Sequence, residues 1–303
     1  MNLKSDELGT PARPDGDGPV PARKILKPVQ SELREVEARL VSVADEVDVP
    51  LLGDLLRHVL RGKGKLLRPA LAFLSARFYD YPVERLVRLA AAVELLHTAS
   101  LIHDDLVDGS TTRRGLPTLH MLASPKVTVL VGDYLFARSA ALATSTESLD
   151  VMALFARTLT SICNGELREI GDPPDSSRNV DRYYQRIQGK TASLFVAATE
   201  GGGILSQAPA SAIRALSDYG LNLGMAFQIA DDVLDFVGTE DELGKPVGSD
   251  LRQGTLTLPA IWLLDHLPAE SVLTRVIASE NPDDEMVREA VALVVESPAV
   301  MFA

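Results

Sequence analysis

The sequence predicts an all-α fold, a helical bundle without a substantial β-sheet, and three observations lead to that prediction. Apolar residues recur three and four positions apart from about residue 29 to residue 277, which is the spacing of one helix face. Aromatic residues make up only 5% of the chain, and its Leu, Val and Ala suit closely packed helices. We find no convincing alternating apolar and polar run that is bounded by a tight turn.

The chain is predicted to consist of a short tail and one large domain. Residues 1–27 contain four prolines and three glycines without an apolar run, which predicts a flexible N-terminal tail and no secretory signal. Residues 28–303 are predicted to form a single all-α domain. With 46% hydrophobic residues in a chain of 303, that domain can bury a sizeable core.

The predicted helices follow one another through that domain. Segments 33–47 and 51–60 are helical, and Pro69 lies in the first turn of a helix that runs through residue 77. Segment 82–107 is apolar around most of its circumference, which predicts a buried helix. Further helices are predicted at 126–145, 148–170, 180–205, 209–237, 255–266 and 283–296. Loops rich in Gly, Pro, Ser and Asp are predicted at 108–117, 171–179 and 238–254.

Charge and composition exclude several classes of partner. A net charge of −12 argues against a nucleic-acid or anionic-membrane surface, which needs a basic footprint. The single cysteine, Cys163, excludes an internal disulfide and indicates a reducing compartment, so we expect a cytoplasmic protein. The longest apolar stretch, residues 89–102, contains Glu94 and His97. We therefore expect a buried core helix there and no integral membrane segment.

One acidic motif, Asp-Asp-x-x-Asp, occurs twice, each time at the end of a strongly apolar helix. Because residues four apart share a helix face, the first and last aspartates of each copy lie about one turn apart. The six residues are Asp104, Asp105 and Asp108 in the first copy, and Asp231, Asp232 and Asp235 in the second.

Carboxylates so close together repel one another, and their ionised forms are costly near an apolar core. A purely structural role would favour Lys or Arg one turn earlier, but Ser100, Leu101, Phe227 and Gln228 stand there. We therefore interpret both motifs as sites for a hard cation, best matched by Mg²⁺, which binds a few carboxylates together with substrate phosphates. The alternative is a solvated acidic helix end. Two copies of the motif favour this alternative less than a single copy would.

Basic residues beside glycines recur near both motifs and indicate a diphosphate ligand. Lys190 and Thr191 follow Gly189 at what we interpret as the start of a helical stretch, where free backbone N–H groups and a lysine could meet a phosphate. Taken singly, each basic residue is more often a solvated surface charge. The others are Arg113, Arg114, Lys245, Lys63, Lys65 and Arg68.

Together these motifs resemble the trans-isoprenyl diphosphate synthase (polyprenyl synthetase) family from about residue 62 to residue 259. The resemblance implies a helical bundle around a central cavity, of the isoprenoid synthase type, and a homodimer. It implies a prenyltransferase that condenses isopentenyl diphosphate with an allylic diphosphate, head-to-tail and trans. The allylic substrate would ionise with the help of up to three Mg²⁺ ions per active site.

The resemblance also implies a role for each matching residue. Metal ligands would be Asp104, Asp108 and Asp231, with Asp105, Asp232 and Asp235 ligating or supporting them. Isopentenyl diphosphate would be held by Lys65, Arg68, His97 and Arg114. The allylic diphosphate would be held, and helped to depart, by Arg113, Lys190, Thr191, Gln228 and Lys245. Without the motif, His97 would be taken for a hydrogen-bonded core histidine, and His103 is expected to serve only in packing or support.

The chain departs from the family pattern in two places. Leu66 stands where the family often has a basic residue, which puts substrate affinity in question. The sequence also stops at Ala303, earlier than such proteins usually end, so we expect its last C-terminal helices to be absent.

Product length is predicted from small residues that lie before the first motif. Ala99 and Ser100 are one turn ahead of Asp104, and with Leu96 they would line an open tunnel for a growing chain. We expect a medium- or long-chain product, longer than geranylgeranyl. The alternative is that these small residues only allow helices to pack closely.

Three rival classes share parts of the pattern. A class I terpene cyclase has the first motif, but by family resemblance its second motif usually reads Asn/Asp, Ser/Thr, Glu. A catalytically silent subunit of a heteromeric synthase generally loses the aspartates, and here all six are present. A di-iron bundle needs two Glu-x-x-His pairs, and only Glu94–His97 is found.

Overall fold

The computed structural model describes residues 22–60, 64–113, 115–171, 179–239, 246–268, 270–279 and 281–303, and within them it confirms the all-α fold class. The first nine helices are α1 (Ala22–Leu26), α2 (Gln30–Asp45), α3 (Pro50–Leu60), α4 (Leu67–Ala76), α5 (Val83–Val107), α6 (Leu119–Leu122), α7 (Pro125–Thr144), α8 (Leu149–Gly171) and α9 (Val180–Ile187). The others are α10 (Ser193–Leu205), α11 (Ala210–Val237), α12 (Ser249–Arg252), α13 (Leu258–Leu264), α14 (Val272–Ala278), α15 (Asp284–Glu296) and α16 (Ala299–Phe302). A 3₁₀ turn, Lys27–Val29, joins α1 to α2.

Most predicted helices are found within a few residues of their expected bounds. The helical part begins at Ala22, before the predicted boundary of the tail, whose residues 1–21 lie outside the described ranges. The helix expected at 255–266 is shorter. It starts at Leu258 because Pro259 occupies its first turn, where the missing N–H of proline is tolerated, and Gly254 in the preceding turn has a φ of +76°.

A small antiparallel hairpin lies where a loop was predicted after the first acidic motif. Strand β1 (Thr112–Arg113) pairs with β2 (Leu116–Pro117), Thr112 opposite Pro117 and Arg113 opposite Leu116. Gly115 supplies the turn with a φ of +77°, which glycine adopts without strain. Two-residue strands are too short to show any alternation of polarity, so the sequence pattern did not reveal them.

The core consists of two hydrophobic clusters that meet at one continuous helical segment. Residues of α2–α5, α7, α8 and α10 form the first cluster, and residues of α9, α11 and the C-terminal helices form the second. Between α9 and α10 the chain makes a π-helical turn, Gln188–Ala192. Tyr183 and Ile187 before this turn belong to the second cluster, whereas Leu194 and Phe195 after it belong to the first.

Helices α5 and α7 run antiparallel and in contact along most of α5. Ser139 donates to the carbonyl of Ala92 (2.6 Å), and Arg88 donates to the carbonyl of Ser145 (2.6 Å). By length and composition both helices are apolar enough to cross a membrane, which the sequence analysis did not expect. Most of α5 is nonetheless buried among other helices, the environment that its apolar residues need, whereas less than half of the apolar 18-residue stretch of α7 is buried.

Candidate active site

The first acidic motif forms the last turn of α5. The Asp104 side chain is only 13% exposed, Asp105 is buried and Asp108, which caps the helix, is exposed. The N–H of Asp108 donates to the carbonyl of Asp104 (2.8 Å), so the two aspartates share one face as predicted. The motif therefore offers one largely buried and one open carboxylate.

The hairpin places Arg113 against this motif. Its Nε donates to both oxygens of Asp105 (2.8 and 3.0 Å), and its Nη2 lies 2.7 Å from Asp105 Oδ1. Sequence reasoning looked for a compensating cation one turn earlier and missed this one, because a hairpin folds it back. Arg113 was predicted to hold the allylic diphosphate, and here it holds Asp105 while 41% of its side chain stays exposed. Arg114 lies outside the described residues.

Lys190 and Thr191 lie in the π-helical turn, which corrects one expectation. The turn continues the helical path of α9 into α10, so Gly189 does not open a helix with free N–H groups. Two glycines let α8 approach this turn. A Cβ at Gly165 would lie 2.7 Å from the backbone nitrogen of Lys190, and one at Gly189 would lie 2.6 Å from the carbonyl oxygen of Ser161. Local π-helical geometry is frequent at functional sites.

The close approach of α8 surrounds Lys190 with carboxylates. Its Nζ lies 3.0 Å from Glu166 Oε1, 2.8 Å from Glu169 Oε2 and 3.9 Å from Asp104 Oδ2. Sequence reasoning did not select Glu166 and Glu169. Their spacing of three residues on one face of α8, directly after Gly165, is the signal that could have found them.

Burial and neighbouring charges shift the pKa values of this cluster. Burial raises the pKa of Asp104 to about 7, with Glu166 and Asp108 adding to the rise and Lys190 opposing it. Burial likewise raises the pKa of Glu166, and partial loss of solvent raises that of Asp108 although its side chain is exposed; Lys190 opposes both shifts. Burial acts to lower the pKa of Lys190, but Glu169, Asp104 and Glu166 outweigh it, so that pKa is raised.

A divalent cation fits this chemistry. Ionised oxygen ligands crowded around a partly buried space are what Mg²⁺ binds, and one ammonium does not balance them. Across the ranges the structure describes, no group of three or more His, Cys, Asp or Glu side chains forms a ready-made metal site. The oxygen atoms of a bound diphosphate would therefore have to complete the coordination of each ion.

The second acidic motif occupies the last turns of α11, and its three aspartates differ. Asp231 is exposed and Asp232 and Asp235 are buried. Asp232 accepts hydrogen bonds from the Tyr183 hydroxyl (2.7 Å) and from Gln228 Nε2 (2.7 Å). Burial raises the pKa of Asp232 to about 7, and the hydrogen bonds from Tyr183 and Gln228 oppose that rise.

The buried aspartates of this motif accept hydrogen bonds from other segments of the protein. Asp235 Oδ2 accepts the backbone N–H of Asp250 (3.1 Å), and its carbonyl accepts the N–H of Gly248 (2.9 Å). Both oxygens of Asp232 and one of Asp235 accept protein hydrogen bonds, whereas Asp231 is exposed. Which of these three aspartates ligate metal stays a prediction.

One hydrogen-bonded path links the π-helical turn to the second motif. Thr191 Oγ1 donates to Gln228 Oε1 (2.6 Å), and Gln228 in turn donates to Asp232. Gly224 allows this approach, because a Cβ there would lie 2.5 Å from Ala192 Cα. Lys190 and Thr191 are consecutive residues, so a single turn of chain contacts Asp104 of the first motif through Lys190 and is linked to Asp232 of the second through Thr191 and Gln228.

Three of the residues predicted to hold isopentenyl diphosphate, Lys65, Arg68 and His97, lie within the described ranges. Lys65 is exposed, and the Arg68 guanidinium lies 5.1 Å from the centre of the Phe195 ring. Leu66, which stands where the family often has a basic residue, is buried with a φ of +45°. Lys63 and Lys245 lie outside the described residues, as Arg114 does.

A cavity of about 360 Å³ opens beside these residues between α2, α3, α5 and the hairpin. His97, Asp105 and Arg113 contribute polar groups to it, and leucine, valine and isoleucine side chains line most of the rest. Glu94 also lines it, beside His97, but the described residues bring no second Glu-x-x-His pair to this place. A di-iron centre is therefore not supported in the described part of the chain.

The residues predicted to set product length are all buried. Leu96 and Ala99 are at most 1% exposed, and Ser100 donates to the carbonyl of His97 (2.8 Å). None of the three lines the cavity beside His97. Their role in product length stays a prediction.

Comparisons with known proteins identify the family that this chain is similar to. A family model described as Polyprenyl synthetase matches residues 49–294. Heptaprenyl diphosphate synthase component 2 of Geobacillus stearothermophilus is 37% identical over 265 residues, which cover 88% of this chain and 81% of the relative. Solanesyl-diphosphate synthase 2 of Oryza sativa subsp. japonica is 35% identical over 286 residues, 92% of this chain and 70% of the relative.

Solved structures share the fold. A polyprenyl synthase from Caulobacter crescentus, complexed with calcium and isoprenyl diphosphate, has a TM-score of 0.88 at 35% identity and covers 96% of this chain and 88% of its own. A decaprenyl diphosphate synthase from Rhodobacter capsulatus has a TM-score of 0.86 at 38% identity, covering 93% and 87%.

Fold and site together define an all-α enzyme with two acidic helix ends and a lysine-bearing turn between them. More particularly, the chain belongs to the polyprenyl synthetase family and is a trans-prenyltransferase. The resemblance seen in the motifs is thereby confirmed.

Proposed function

We propose that this chain condenses isopentenyl diphosphate with an allylic diphosphate, head-to-tail and trans, to give a medium- or long-chain polyprenyl diphosphate. One observation carries the proposal. The turn Gln188–Ala192 contacts Asp104 through Lys190 and Asp232 through Thr191 and Gln228, so both acidic motifs border the same turn.

Mg²⁺ is proposed as the cofactor, held by Asp104 and Asp108 on one side and by Asp231 on the other. When bound, it would neutralise negative charge that develops on a departing diphosphate. The Caulobacter crescentus relative was solved with calcium and isoprenyl diphosphate, which supports divalent ions beside such a ligand. The number of ions, up to three, rests on the family resemblance.

The reaction would proceed by ionisation of the allylic diphosphate, addition of the double bond and loss of a proton. Lys190 and the exposed part of Arg113 would hold the allylic diphosphate and stabilise the charge that it gains as its allylic C–O bond breaks. The bonding electrons leave with the diphosphate, and the double bond of isopentenyl diphosphate then attacks the allylic cation. A proton is lost from the new tertiary cation to the departed diphosphate. Apolar walls exclude water, which would quench the cation.

Product length is proposed from two sources. Relatives at 35–38% identity include synthases named for heptaprenyl, solanesyl and decaprenyl products, whereas the geranylgeranyl pyrophosphate synthases among the similar structures are 24–30% identical. In this chain, Ala99 and Ser100 put small side chains one turn before Asp104. Both favour a chain longer than geranylgeranyl.

The direct test is a reaction of the purified chain with Mg²⁺, isopentenyl diphosphate and a series of allylic primers, followed by mass analysis of the products. We expect linear polyprenyl diphosphates, strictly dependent on isopentenyl diphosphate. A cyclic hydrocarbon made from the primer alone would support a terpene cyclase instead, and no product from the chain alone would support a silent subunit.

We also propose that the chain forms a homodimer through an exposed apolar patch, defined as Met121 and Leu122 of α6 and Val129 and Leu130 of α7. These four side chains are 40–59% exposed, and α7, which carries two of them, is as apolar as a helix that is buried along its length. Leu130→Glu should then shift the sedimentation of the protein from dimer to monomer, whereas Leu149→Glu, on an isolated exposed leucine, should not. A monomeric parent protein would contradict the homodimer.

Two of the relatives are named component 2 of a heptaprenyl diphosphate synthase. The alternative to a homodimer is therefore a complex with a different chain, and the same sedimentation experiment distinguishes the two. A parent monomer that dimerises only with a second kind of chain would favour that partner. A cytoplasmic location is also proposed, supported by the single cysteine.

A further inference from the structure

His103 immediately precedes Asp104 but points to a different helix. Successive residues of an α-helix project about 100° apart, so Asp104 faces Lys190 while His103 faces α7. The ring of His103 lies on Gly132. A Cβ at that glycine would be 2.2 Å from His103 Nε2 and 2.5 Å from Cδ2, so only glycine leaves room for the ring.

Other contacts fix the ring in this place. Its Nε2 lies 3.2 Å from the carbonyl oxygen of Val129 and 3.7 Å from Asp133 Oδ1. The edge of the ring meets Phe136, with the ring centres 5.3 Å apart. Because a carbonyl only accepts hydrogen bonds, Nε2 carries the proton when it binds Val129. Polar, aromatic and steric contacts thus hold one imidazole on one turn of α7.

This contact lies at the end of the α5–α7 interface that carries the first acidic motif. The other polar contacts between the two helices, such as Ser139 with Ala92, lie further from the motif. Asp108 is the C-cap of α5, so only one turn of helix follows His103. A rotation of this turn about the axis of α5 would move Asp104 and Asp108 together.

We propose that His103, seated on Gly132, is a positioning residue that fixes the rotation of the last turn of α5 and so aims Asp104 and Asp108 at the bound ions. The inference rests on the proposed function, in which those two carboxylates hold divalent cations. Packing alone would predict a loss of stability. Positioning predicts a loss of ion affinity that depends on the ring itself.

The test is a double-mutant cycle on His103→Ala and Gly132→Ala. The readout is binding of Mn²⁺ in the presence of inorganic pyrophosphate, measured by electron paramagnetic resonance of the free ion. Each single variant should weaken Mn²⁺ binding about tenfold or more, as is typical when groups that orient metal ligands are changed. In the His103→Ala background, Gly132→Ala should have almost no further effect, since its methyl group then meets no ring.

Two further variants make the outcome specific. His103→Gln keeps a donor near the position of Nε2 and should bind Mn²⁺ within about threefold of the parent, provided that the donor fixes the turn. Gly201→Ala adds a methyl group against Leu89, at the far part of α5, where its Cβ would lie 2.8 Å from Cδ2. It should shift Tm without changing Mn²⁺ affinity. Where Gly132→Ala fails to fold, the comparison of His103→Ala with His103→Gln carries the test.

The outcomes separate this inference from the proposed function. Asp104→Ala must weaken Mn²⁺ binding, and if it does not, the proposed ion site itself is wrong. If Asp104→Ala weakens binding while His103→Ala does not, only the positioning role fails. Equal effects of Gly132→Ala in both backgrounds would overturn it too, because the methyl group would then act without the ring.

Discussion

At the scale of single residues, Lys190 is the central cation of the site. Three carboxylates from two helices lie within 4 Å of its Nζ, and two of them, Glu166 and Glu169, stand outside both aspartate motifs. One positive charge is too little to balance three carboxylates, and burial discourages two of them, Asp104 and Glu166, from ionising. The remaining repulsion between these carboxylates would be reduced by a bound cation.

Asp104→Asn should stabilise the protein in the absence of metal. The folded-state pKa of Asp104, about 7, lies above its ordinary value of 3.8, so the folded state binds the proton more tightly and stability falls as pH rises between those values. An asparagine removes this penalty. We expect a gain of about 1–3 kcal/mol at pH 8 that fades towards pH 4.

The measurement is urea unfolding in EDTA at several pH values. Asp150→Asn, an exposed aspartate in the first turn of α8, is the matched control and should show no such trend. A variant less stable than the parent at pH 8 would mean that Asp104 is a stabilising charge. The activity of Asp104→Asn should nevertheless be almost abolished, a trade of function against stability.

Glu169→Gln tests whether α8 positions Lys190. Glu169 makes the shortest of the three contacts, so its neutral replacement lets the ammonium turn towards Glu166 and away from the allylic diphosphate. We expect kcat to fall about 10- to 100-fold, the range for a misplacement of about 1 Å, while KM for isopentenyl diphosphate changes little. Glu289→Gln, exposed on α15, is the control, and steady-state kinetics that leave kcat intact would remove Glu169 from the site.

At the scale of helices, the approach of α8 to the π-helical turn depends on the pair Gly165 and Gly189. Neither contact involves a flexible side chain: the added Cβ atoms would meet backbone nitrogen and oxygen. Backbone atoms cannot yield cheaply, so any larger residue must separate the two helices.

Gly165→Ala should therefore destabilise the fold and weaken catalysis together. The added methyl group pushes Glu166 and Glu169 away from Lys190, and overpacking of this kind costs about 1–3 kcal/mol. Gly203→Ala is the matched control, because its Cβ would meet the flexible end of Leu216 at 2.9 Å, and alanine is the better helix former. Thermal unfolding that gives both variants the same Tm would contradict a special role for Gly165.

The buried face of α5 carries the prediction on product length. Ala99→Phe places an aromatic ring one turn before Asp104, where it should obstruct a growing chain and shorten the product by one or more five-carbon additions. Mass analysis of the products, with thermal unfolding as a check that the ring is accommodated, makes the measurement. A folded variant with an unchanged product profile would place the tunnel elsewhere.

At the scale of the whole molecule, helical periodicity was enough to predict the fold and most helix positions. The spacing of four residues also placed Asp104 and Asp108 on one face without any structure. The contacts between elements were beyond this reasoning. Arg113 reaches Asp105 through a hairpin of two-residue strands, and Glu166 reaches Lys190 through two glycines 24 residues apart.

The same limit explains why sequence alone does not tell the surroundings of the three aspartates of the second motif apart. The family resemblance implies that Asp231 ligates metal and that Asp232 and Asp235 ligate or support it. The structure separates them, because Tyr183, 49 residues away, donates to Asp232, and the N–H of Asp250 closes onto Asp235. Burial and hydrogen-bond partners depend on tertiary packing, which a short motif does not contain.

The central claim is that both acidic motifs serve one diphosphate across the turn that carries Lys190. A crystal structure of the chain with Mn²⁺ and a non-reactive allylic diphosphate analogue, with the ions located by anomalous scattering, tests it most directly. We predict ions at Asp104 and Asp108 and at Asp231, bound to oxygen atoms of the same diphosphate, with Lys190 in contact with it. Ions at one motif alone, or two motifs that bind separate ligands, would contradict the account.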